Sequence, residues 1–536
     1  MSAIPPRNAT PPAATTLETE VLIIGGGVTG AGIMRDLALR GIRSLLIDKR
    51  DLCAGASGGN HGLLHSGARY VSTDPGAAME CRQENALLKR LAPQCIETAG
   101  GLFVAVEGDD SVFAEQFPAL CQRAAIECEE LSPGEARRLE PLLSEKLFKA
   151  YRVADATIDP FHLAMLNVDH ARRINGSVYR PHTEVLGFEV AAGEIRAAVC
   201  HDHLHQRPLT IRARQFVNAG GAWAMNIARL AACADVHLLY AKGTILVSND
   251  RLAHHVVNRL RPPGDGDILV PGGTVSLLGT TSTRTDDLEN PGPTAEEIDR
   301  NIREGAAMIP ALAGARYIRA FSRVRPLLQT AGNAGDRAAS RGFALLDHAS
   351  QGVSNFCTIT GGKLTTFRLM AEKTSDLVAG RLGNDQACMT ATVALPDDEA
   401  CGWTEPATAP KHWHRDRDPD DMILCECEMV PQSAIEQIFS CSPGSEQERT
   451  IESIALRTRA GKGPCQGSFC GIRIGSWLYD RGDYRDATGL VHLRNFFDER
   501  FKGQRSVIWG QQAAQMELAE ALHCGLLGLD TLEGDR

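Results

Sequence analysis

Four cysteines and a small set of cations are the residues best placed to do chemistry in this sequence. Cys425 and Cys427 are one residue apart, and Cys465 and Cys470 enclose a short loop containing Gln466, Gly467 and Ser468. On an extended segment, positions i and i+2 point to one side, so the first pair presents both sulfurs together. The loop between the second pair can turn backbone N–H groups toward an anion. Four thiolates suit a [2Fe–2S] centre or a tetrahedral zinc ion. Structural zinc favours wider C-x(2–4)-C spacing, for which C-x-C is tight. The spacing therefore favours the iron–sulfur centre, with zinc and unligated thiols as the alternatives. Cys401 and Cys441 read as bystanders.

The cations are Arg69, Arg325, Arg341 and Lys363, in the contexts GARY, VRPLL, SRG and GGKLTT. A lone arginine is usually a solvated surface charge. These four instead sit in glycine-, proline- or aromatic-rich stretches, at loops or element ends rather than on amphipathic faces. A guanidinium fork matches a phosphate dianion with two parallel hydrogen bonds. Lys363, beside an expected helix N-terminus, favours negative charge developing nearby.

The element that must position them is Glu20–Asp51. An apolar run, Val21 to Ile24, leads into Gly25, Gly26 and Gly27, then Gly30; a helix-period segment ends at Gly41; a second apolar run stops at Asp48. This is strand, tight turn, helix, strand, acid, the dinucleotide fingerprint G-x-G-x-x-G filled by Gly25, Gly27 and Gly30. Gly25 permits the turn. Gly27 lets backbone N–H groups approach a pyrophosphate, and Gly30 allows helix to pack on strand. Asp48 can accept hydrogen bonds from a ribose. The motif alone does not choose between NAD and FAD. The next stretch, Asp51–Tyr70, is dense in Gly, Ala and Ser and suits backbone lying against something flat. Ser57 and His61 in it, with Gly361 and Gly362 later, are expected at the cofactor. The plainer reading of His61 and His65 is that they bridge loop backbone.

Further along, helices are expected over 77–91, after the capping boxes Ser132–Glu135 and Thr294–Glu297, and from Asp159-Pro160. Strands are expected at 102–106, 243–247, 268–270 and 275–280. A buried strand ends at Asn218-Ala219-Gly220-Gly221, and another near 355–360 meets Gly361-Gly362-Lys363, with a helix at about 365–379. Both fit a return to the first sheet, so the nucleotide domain is expected to be discontinuous. Residues 396–421 read as a linker rich in Pro, Asp and His. Beyond them lie helices at 451–460 and about 511–522.

Length and composition set bounds. A chain of 536 residues is too long for one core and implies about two to four domains. No run of about 18 apolar residues exists to span a membrane. Residues 1–19, rich in Pro, Ala and Thr, read as a disordered lead-in without a secretory signal. Most of the sixteen cysteines lack framework spacing and read as reduced, buried thiols. A net charge of −10 without a Lys/Arg block argues against nucleic acid as a partner.

At Gly25–Gly30, NHGLLHSGARY (Asn60–Tyr70), GTTSTR (Gly279–Arg284), VRPLL (Val324–Leu328) and ITGGKLTTFRLMAE (Ile359–Glu372), the chain resembles the FAD-dependent glycerol-3-phosphate dehydrogenases. Its cysteine module resembles bacterioferritin-associated-ferredoxin-like [2Fe–2S] domains. Together they resemble the large-subunit family of the anaerobic type. The resemblance implies an α/β, Rossmann-like FAD-binding domain interleaved with an antiparallel-sheet substrate domain, as in D-amino-acid oxidases. That unit would span 20–395, followed by the linker 396–421, a helical iron–sulfur domain over 422–476 and a helical tail over 477–536. It implies oxidation of sn-glycerol 3-phosphate to dihydroxyacetone phosphate by hydride transfer to FAD. Arg69 and Tyr70 would then face the substrate, Arg325 would bind phosphate or the reacting oxygen with Arg341 nearby, Lys363 would sit by flavin and hydroxyl, and Thr281 would line the site.

The resemblance also implies electrons leaving through the cluster to a small flavoprotein subunit, then a membrane-associated iron–sulfur subunit, then a quinone. The chain would be cytoplasmic, peripheral on the inner membrane through its partners. Three positions depart from the family pattern. Lys242-Gly243-Thr244-Ile245 replaces a KGSH-type segment and removes a histidine base there. Arg323 stands where small residues are common, and Asp48 replaces the usual glutamate. The rival readings are a dehydrogenase of another 2-hydroxy or amino acid, and a non-catalytic electron-transfer or zinc-stabilised protein.

Overall fold

Two large sheets organise the computed structural model, which describes residues 15–233, 238–328, 342–396, 418–441 and 449–532. At the heart of the first, an eight-stranded sheet, lies the strand Thr15–Ile24. It pairs in parallel with Ser44–Ile47 on one side and Arg207–Asn218 on the other. The last residues of Arg207–Asn218 pair in parallel with Phe356–Gly361, while its first half pairs antiparallel with Glu194–Asp202. Strands from residues 15 to 361 therefore meet in one sheet, and the nucleotide domain is discontinuous.

Its two faces are apolar because its central strands are. Val21 and Ile23 pack under the helices Val28–Leu39, Pro160–Asn175 and Phe367–Arg381, with Ile33, Leu37, Leu163 and Met370. Leu22, Leu45 and Ile47 fill the opposite face with Phe216 and Phe356. Full burial of each such side chain contributes about 1.5–3 kcal/mol. The strand begins earlier than the apolar run suggests. Thr15, Thr16 and Leu17 lie in register with Leu209, Thr210 and Ile211, so residues 15–19 belong to the sheet, not to a lead-in. Their β-branched threonines suit this exposed extension. Residues 1–14 lie outside the described ones.

The second, nine-stranded sheet forms the other wall. Its longest pairing joins Leu238–Ser248 to Tyr317–Leu328 antiparallel, with Ala241 opposite Arg325 and Gly243 opposite Arg323. The first extends well beyond the strand expected at 243–247, and the second, not expected as a strand, places Arg325 within an element and not at a loop or element end, because ladder pairing carries polar residues along with apolar ones. In Tyr317–Leu328 the period of two divides the residues cleanly. Ala320, Ser322 and Val324 are buried, while Arg319, Phe321, Arg323 and Arg325 share the opposite, half-buried side. Both capping boxes form, at Ser132–Glu135 and Thr294–Glu297.

The cysteine module is helical around one core that runs from Leu424 to Leu529. The helix Cys470–Asp480 crosses residue 476, and Leu493, Phe496, Phe497 and Phe501 complete the same core. A module ending at 476 would expose these aromatics, so the C-terminal segment is part of the module and not a separate tail. The module docks through Arg457, whose guanidinium lies 3.2 Å from Asp51, and through Lys462, whose ammonium sits 4.5 Å above the Phe161 ring. Most of the stretch read as a linker, residues 397–417, lies outside the described residues. Among the described residues no helix is long and apolar enough to cross a membrane.

Candidate functional site

The turn after Thr15–Ile24 shows why glycine is required. At Gly25, with φ +117°, a Cβ would come within 2.4 Å of the Ala219 carbonyl oxygen; at Gly30 it would lie 2.0 Å from the Gly25 oxygen. Gly27 begins the helix Val28–Leu39 with no side-chain cap, and the Val28 N–H donates to Ser57 Oγ at 3.1 Å. Helix N-terminal N–H groups, and the dipole behind them, are therefore available to an anion. Asp48 accepts from the Gly26 N–H (2.7 Å) and the Arg50 N–H (2.8 Å), one per carboxylate oxygen. Burial raises its pKa and these two N–H donors oppose the rise. Each oxygen keeps a lone pair, enough to accept from a ribose diol.

This turn opens into a cavity of about 600 Å³, within the range of cofactor sites. Trp223, which donates to Glu289 and has Lys49 4.6 Å above its indole ring, lines it. So do Arg325, Gly361, Gly362 and Lys363. Gly361 and Gly362 have φ of +81° and +73°, and Cβ atoms there would strike Gly342 O and Met370 Sδ. They turn the chain so that Lys363 reaches back, its ammonium 5.0 Å above the Tyr70 ring. Tyr70 Oη in turn meets His65 Nε2 at 3.2 Å.

Arg325 is held by the second sheet. It donates to Thr281 O at 2.6 Å and to Thr280 Oγ1 at 3.2 Å. Gly243 leaves the room for it, since a Cβ there would lie 3.0 Å from the guanidinium. Arg69 lines the cavity too, yet its charge is matched by Asp267 Oδ2 at 2.7 Å. His61 is the other polar group of interest. Burial, then Arg325 and Arg69, push its pKa down to about 3. It is neutral at physiological pH, and its buried Nδ1 has no hydrogen-bond partner among the described residues.

Of the residues singled out in the sequence, the cavity brings together Gly25, Gly27, Asp48, Ser57, His61, Arg69, Tyr70, Arg325, Gly361, Gly362 and Lys363. Gly30 lies beneath it as the helix–strand contact. Thr281 is fully buried with its hydroxyl accepting from Thr244 N, and it is the neighbouring Thr280 that lines the cavity. Arg341 lies outside the described residues. Sequence reasoning missed Trp223 and Glu289, although the tryptophan lies two residues after the Gly220-Gly221 turn. It noted Arg323 only as a departure, and that side chain also lines the cavity.

In the cysteine module, the four sulfurs converge. Cys425 and Cys427 are 3.8 Å apart, Cys427 and Cys465 are 3.5 Å apart, and Cys470 hydrogen-bonds Cys425. Gly463 leaves room for the sulfur, because a Cβ there would lie 2.5 Å from Cys427 Sγ. Hydrogen bonding from Cys427 pulls the Cys425 and Cys465 thiols down in pKa, aided by backbone N–H groups of Gly461, Glu428, Gly467 and Phe469, and the same thiol–thiol hydrogen bonds push Cys427 and Cys470 up. Such a nest favours thiolate and sulfide charge. Among the described residues no three His, Cys, Asp or Glu side chains are set as ligands of a metal ion. The sulfurs are nonetheless the donor set that an iron–sulfur cluster takes.

The first cavity fits a flavin adenine dinucleotide on these observations. A glycine cradle that a Cβ would fill, uncapped helix N–H groups, a carboxylate with spare lone pairs and an orphaned imidazole nitrogen are each what the cofactor would engage. Comparison with known proteins agrees. A family model described as FAD dependent oxidoreductase matches residues 20–377. The chain is 39% identical to an anaerobic glycerol-3-phosphate dehydrogenase subunit of Escherichia coli K12, over 96% of this chain and 98% of that one. It is 37% identical to the corresponding subunit of Haloferax volcanii, over 95% and 91% respectively. Among solved structures, the glycerol-3-phosphate dehydrogenase of Bacillus halodurans complexed with FAD superposes with a TM-score of 0.66 at 20% identity, covering 92% of this chain and 96% of that one. The FAD-bound L-alpha-glycerophosphate oxidase of Mycoplasma pneumoniae gives 0.56 at 19% identity, covering 71% and 99%. At these identities the structural likenesses speak to fold.

Proposed function

We infer the function from the premise that this chain belongs to the FAD-dependent oxidoreductases, in the large-subunit family of the anaerobic glycerol-3-phosphate dehydrogenases. It is an enzyme that oxidises sn-glycerol 3-phosphate to dihydroxyacetone phosphate with FAD. The observation that carries the assignment of residues is the convergence of Arg325 and Lys363, 38 positions apart, on the cavity that the dinucleotide corner opens.

FAD, when bound, supplies the two-electron acceptor for the hydride at C2. The protein groups divide the remaining work. Arg325, fixed by Thr280 and Thr281, offers its fork to the phosphate. Lys363 places a positive charge beside the C2 oxygen, where it stabilises alkoxide character as the hydroxyl proton leaves. Tyr70 and His65 hold the wall under the lysine. Neutral His61 offers a hydrogen-bonding nitrogen without adding a third cation. Arg69, paired with Asp267, braces the loop.

Cys425, Cys427, Cys465 and Cys470 would hold a [2Fe–2S] centre, which would supply a one-electron exit for the flavin's electrons. Partner subunits, a small flavoprotein and a membrane-associated iron–sulfur protein, carry them to a quinone, and the chain is cytoplasmic and peripheral through those partners. The converged sulfurs and their N–H nest support the cluster assignment. Anaerobic titration of the purified chain with glycerol 3-phosphate tests both halves. Flavin bleaching followed by bleaching of cluster bands is expected. Flavin bleaching with zinc and no iron would overturn the cluster, and an unreactive flavin would overturn the residue assignments.

A further inference from the structure

A second cavity, of about 750 Å³, lies behind the Gly58–Gly62 loop where the two modules meet. One wall is the face of Tyr317–Leu328 that carries Arg319, Phe321 and Arg323; the other comes from the cysteine module through Lys462, Gln466 and Arg500. Gly59, Asn60, His61 and Arg323 line both cavities. The two chambers are thus separated by one thin loop and one arginine stem. A Cβ on Gly59 would lie 1.9 Å from Arg323 Cγ, so this partition tolerates no side chain there.

The charge in the second chamber does not balance. Six basic residues line it: Arg251, Arg319, Arg323, Arg459, Lys462 and Arg500. They face four acidic ones: Glu97, Asp159, Glu452 and Glu499. Arg251 is matched by Glu97, and Arg459 by Glu428 at 2.9 Å. The others have much less. Arg319 has Glu499 at 3.9 Å, Arg323 donates to the Ser322 carbonyl, and Arg500 to the Gly461 carbonyl. Lys462 has a 3.4 Å contact to Leu456 O. Arg319 Nη1 and Arg500 Nε are buried without a hydrogen-bond partner among the described residues. Burial pushes Arg319 down to about 9 and Lys462 to about 8. Unmatched, partly desolvated cations are costly unless an anion joins them.

Arg500 feels Cys470, whereas Arg319, Arg323 and Lys462 feel carboxylates and other cations. Apolar side chains also line it, among them Phe161, Phe321, Leu456 and Phe496. We propose that this chamber binds a phosphate-bearing ligand, its oxyanion held by Arg319, Lys462 and Arg500 and its body lying against Phe161, Phe321 and Leu456. A phosphate brings negative charge to cations that no carboxylate among the described residues approaches within hydrogen-bond distance, and guanidinium forks suit its oxygens. The volume exceeds that of the phosphate group alone and accommodates a body of mononucleotide size.

Calorimetric titration of the full-length holoprotein tests this, first with inorganic phosphate and then with adenosine 5′-monophosphate. Two phosphate sites per chain are expected. Lys462→Gln and Arg319→Gln should each weaken one of them about tenfold while leaving flavin bleaching by glycerol 3-phosphate unchanged, and Arg325→Ala should weaken the other. Tighter binding of the nucleotide at the Lys462-dependent site would identify a nucleotide-like ligand. Equal binding would identify free phosphate, and both results support the site. A single phosphate site in the unaltered protein overturns the proposal without any variant, as does a second site indifferent to both substitutions. Failure of Arg325→Ala to affect the other site would count against the substrate assignment above and leave this inference standing.

Discussion

The dinucleotide corner and the cysteine module both present backbone N–H groups to negative charge, but they gather their parts from different distances. In the cysteine module the four sulfurs and their N–H donors come from 425–470, close together in sequence. The cavity at the corner draws on Gly25, Asp48, His61, Trp223, Arg325 and Lys363, spread over most of the catalytic module. A site made of neighbouring residues forms when one small unit folds. A site made from both sheets forms only when the two sheets are already packed. The two centres should therefore fail separately when their own parts are removed.

The largest expected effect comes from Gly30→Ala. Its Cβ would meet the Gly25 carbonyl at 2.0 Å, a backbone atom that cannot step aside, at a cost of about 1–3 kcal/mol or more. Flavin content, read as absorbance per protein, should drop at least about tenfold, while the cysteine module still loads iron. Loss of both together would break the comparison. Cys465→Ser is the converse: iron content should fall to background while flavin remains and still bleaches with glycerol 3-phosphate.

Arg325→Ala should reduce kcat/KM by about 10- to 100-fold, from the loss of charge-assisted hydrogen bonds, with flavin content unchanged. Normal steady-state kinetics would remove Arg325 from the substrate site. Acid sensitivity should localise to the catalytic module through His61. Its folded pKa, about 3, lies below the ordinary 6.5, so between those values the unfolded chain binds the extra proton. This share of stability is present above pH 6.5 and is lost as pH falls toward 3. His61→Gln should flatten that part of the pH–stability curve, measured by urea unfolding. The smallest effect is expected for Ser57→Ala, which takes the acceptor from Val28 N. About 0.5–1.5 kcal/mol is at stake, a weakening of flavin binding of a few-fold.

The corner was legible because its constraints are local. Glycines at 25, 27 and 30, an apolar strand before them and Asp48 after the next strand define a shape that few other sequences satisfy. The cysteine spacing is informative for the same reason. What could not be read was alternation on the strand Tyr317–Leu328, because Phe321–Leu328 looks like a charged loop until ladder pairing with Leu238–Ser248 fixes its register. The extension of Thr15–Ile24 into the polar lead-in and the joining of 477–529 to the cysteine core have a similar origin, since long-range partners decide both.

By itself, then, the order of residues determined the nucleotide-binding turn, the thiolate set and the types of cation available to a phosphorylated substrate. Only tertiary structure decided which cations stay electrostatically open. Arg69, picked out in its GARY context, is paired with Asp267, while Arg319, never singled out, keeps a buried nitrogen unmatched. The physical reason is that a side chain's charge is a property of the residue, whereas its field depends on what burial removes and which partner, hundreds of positions away, packing brings within reach.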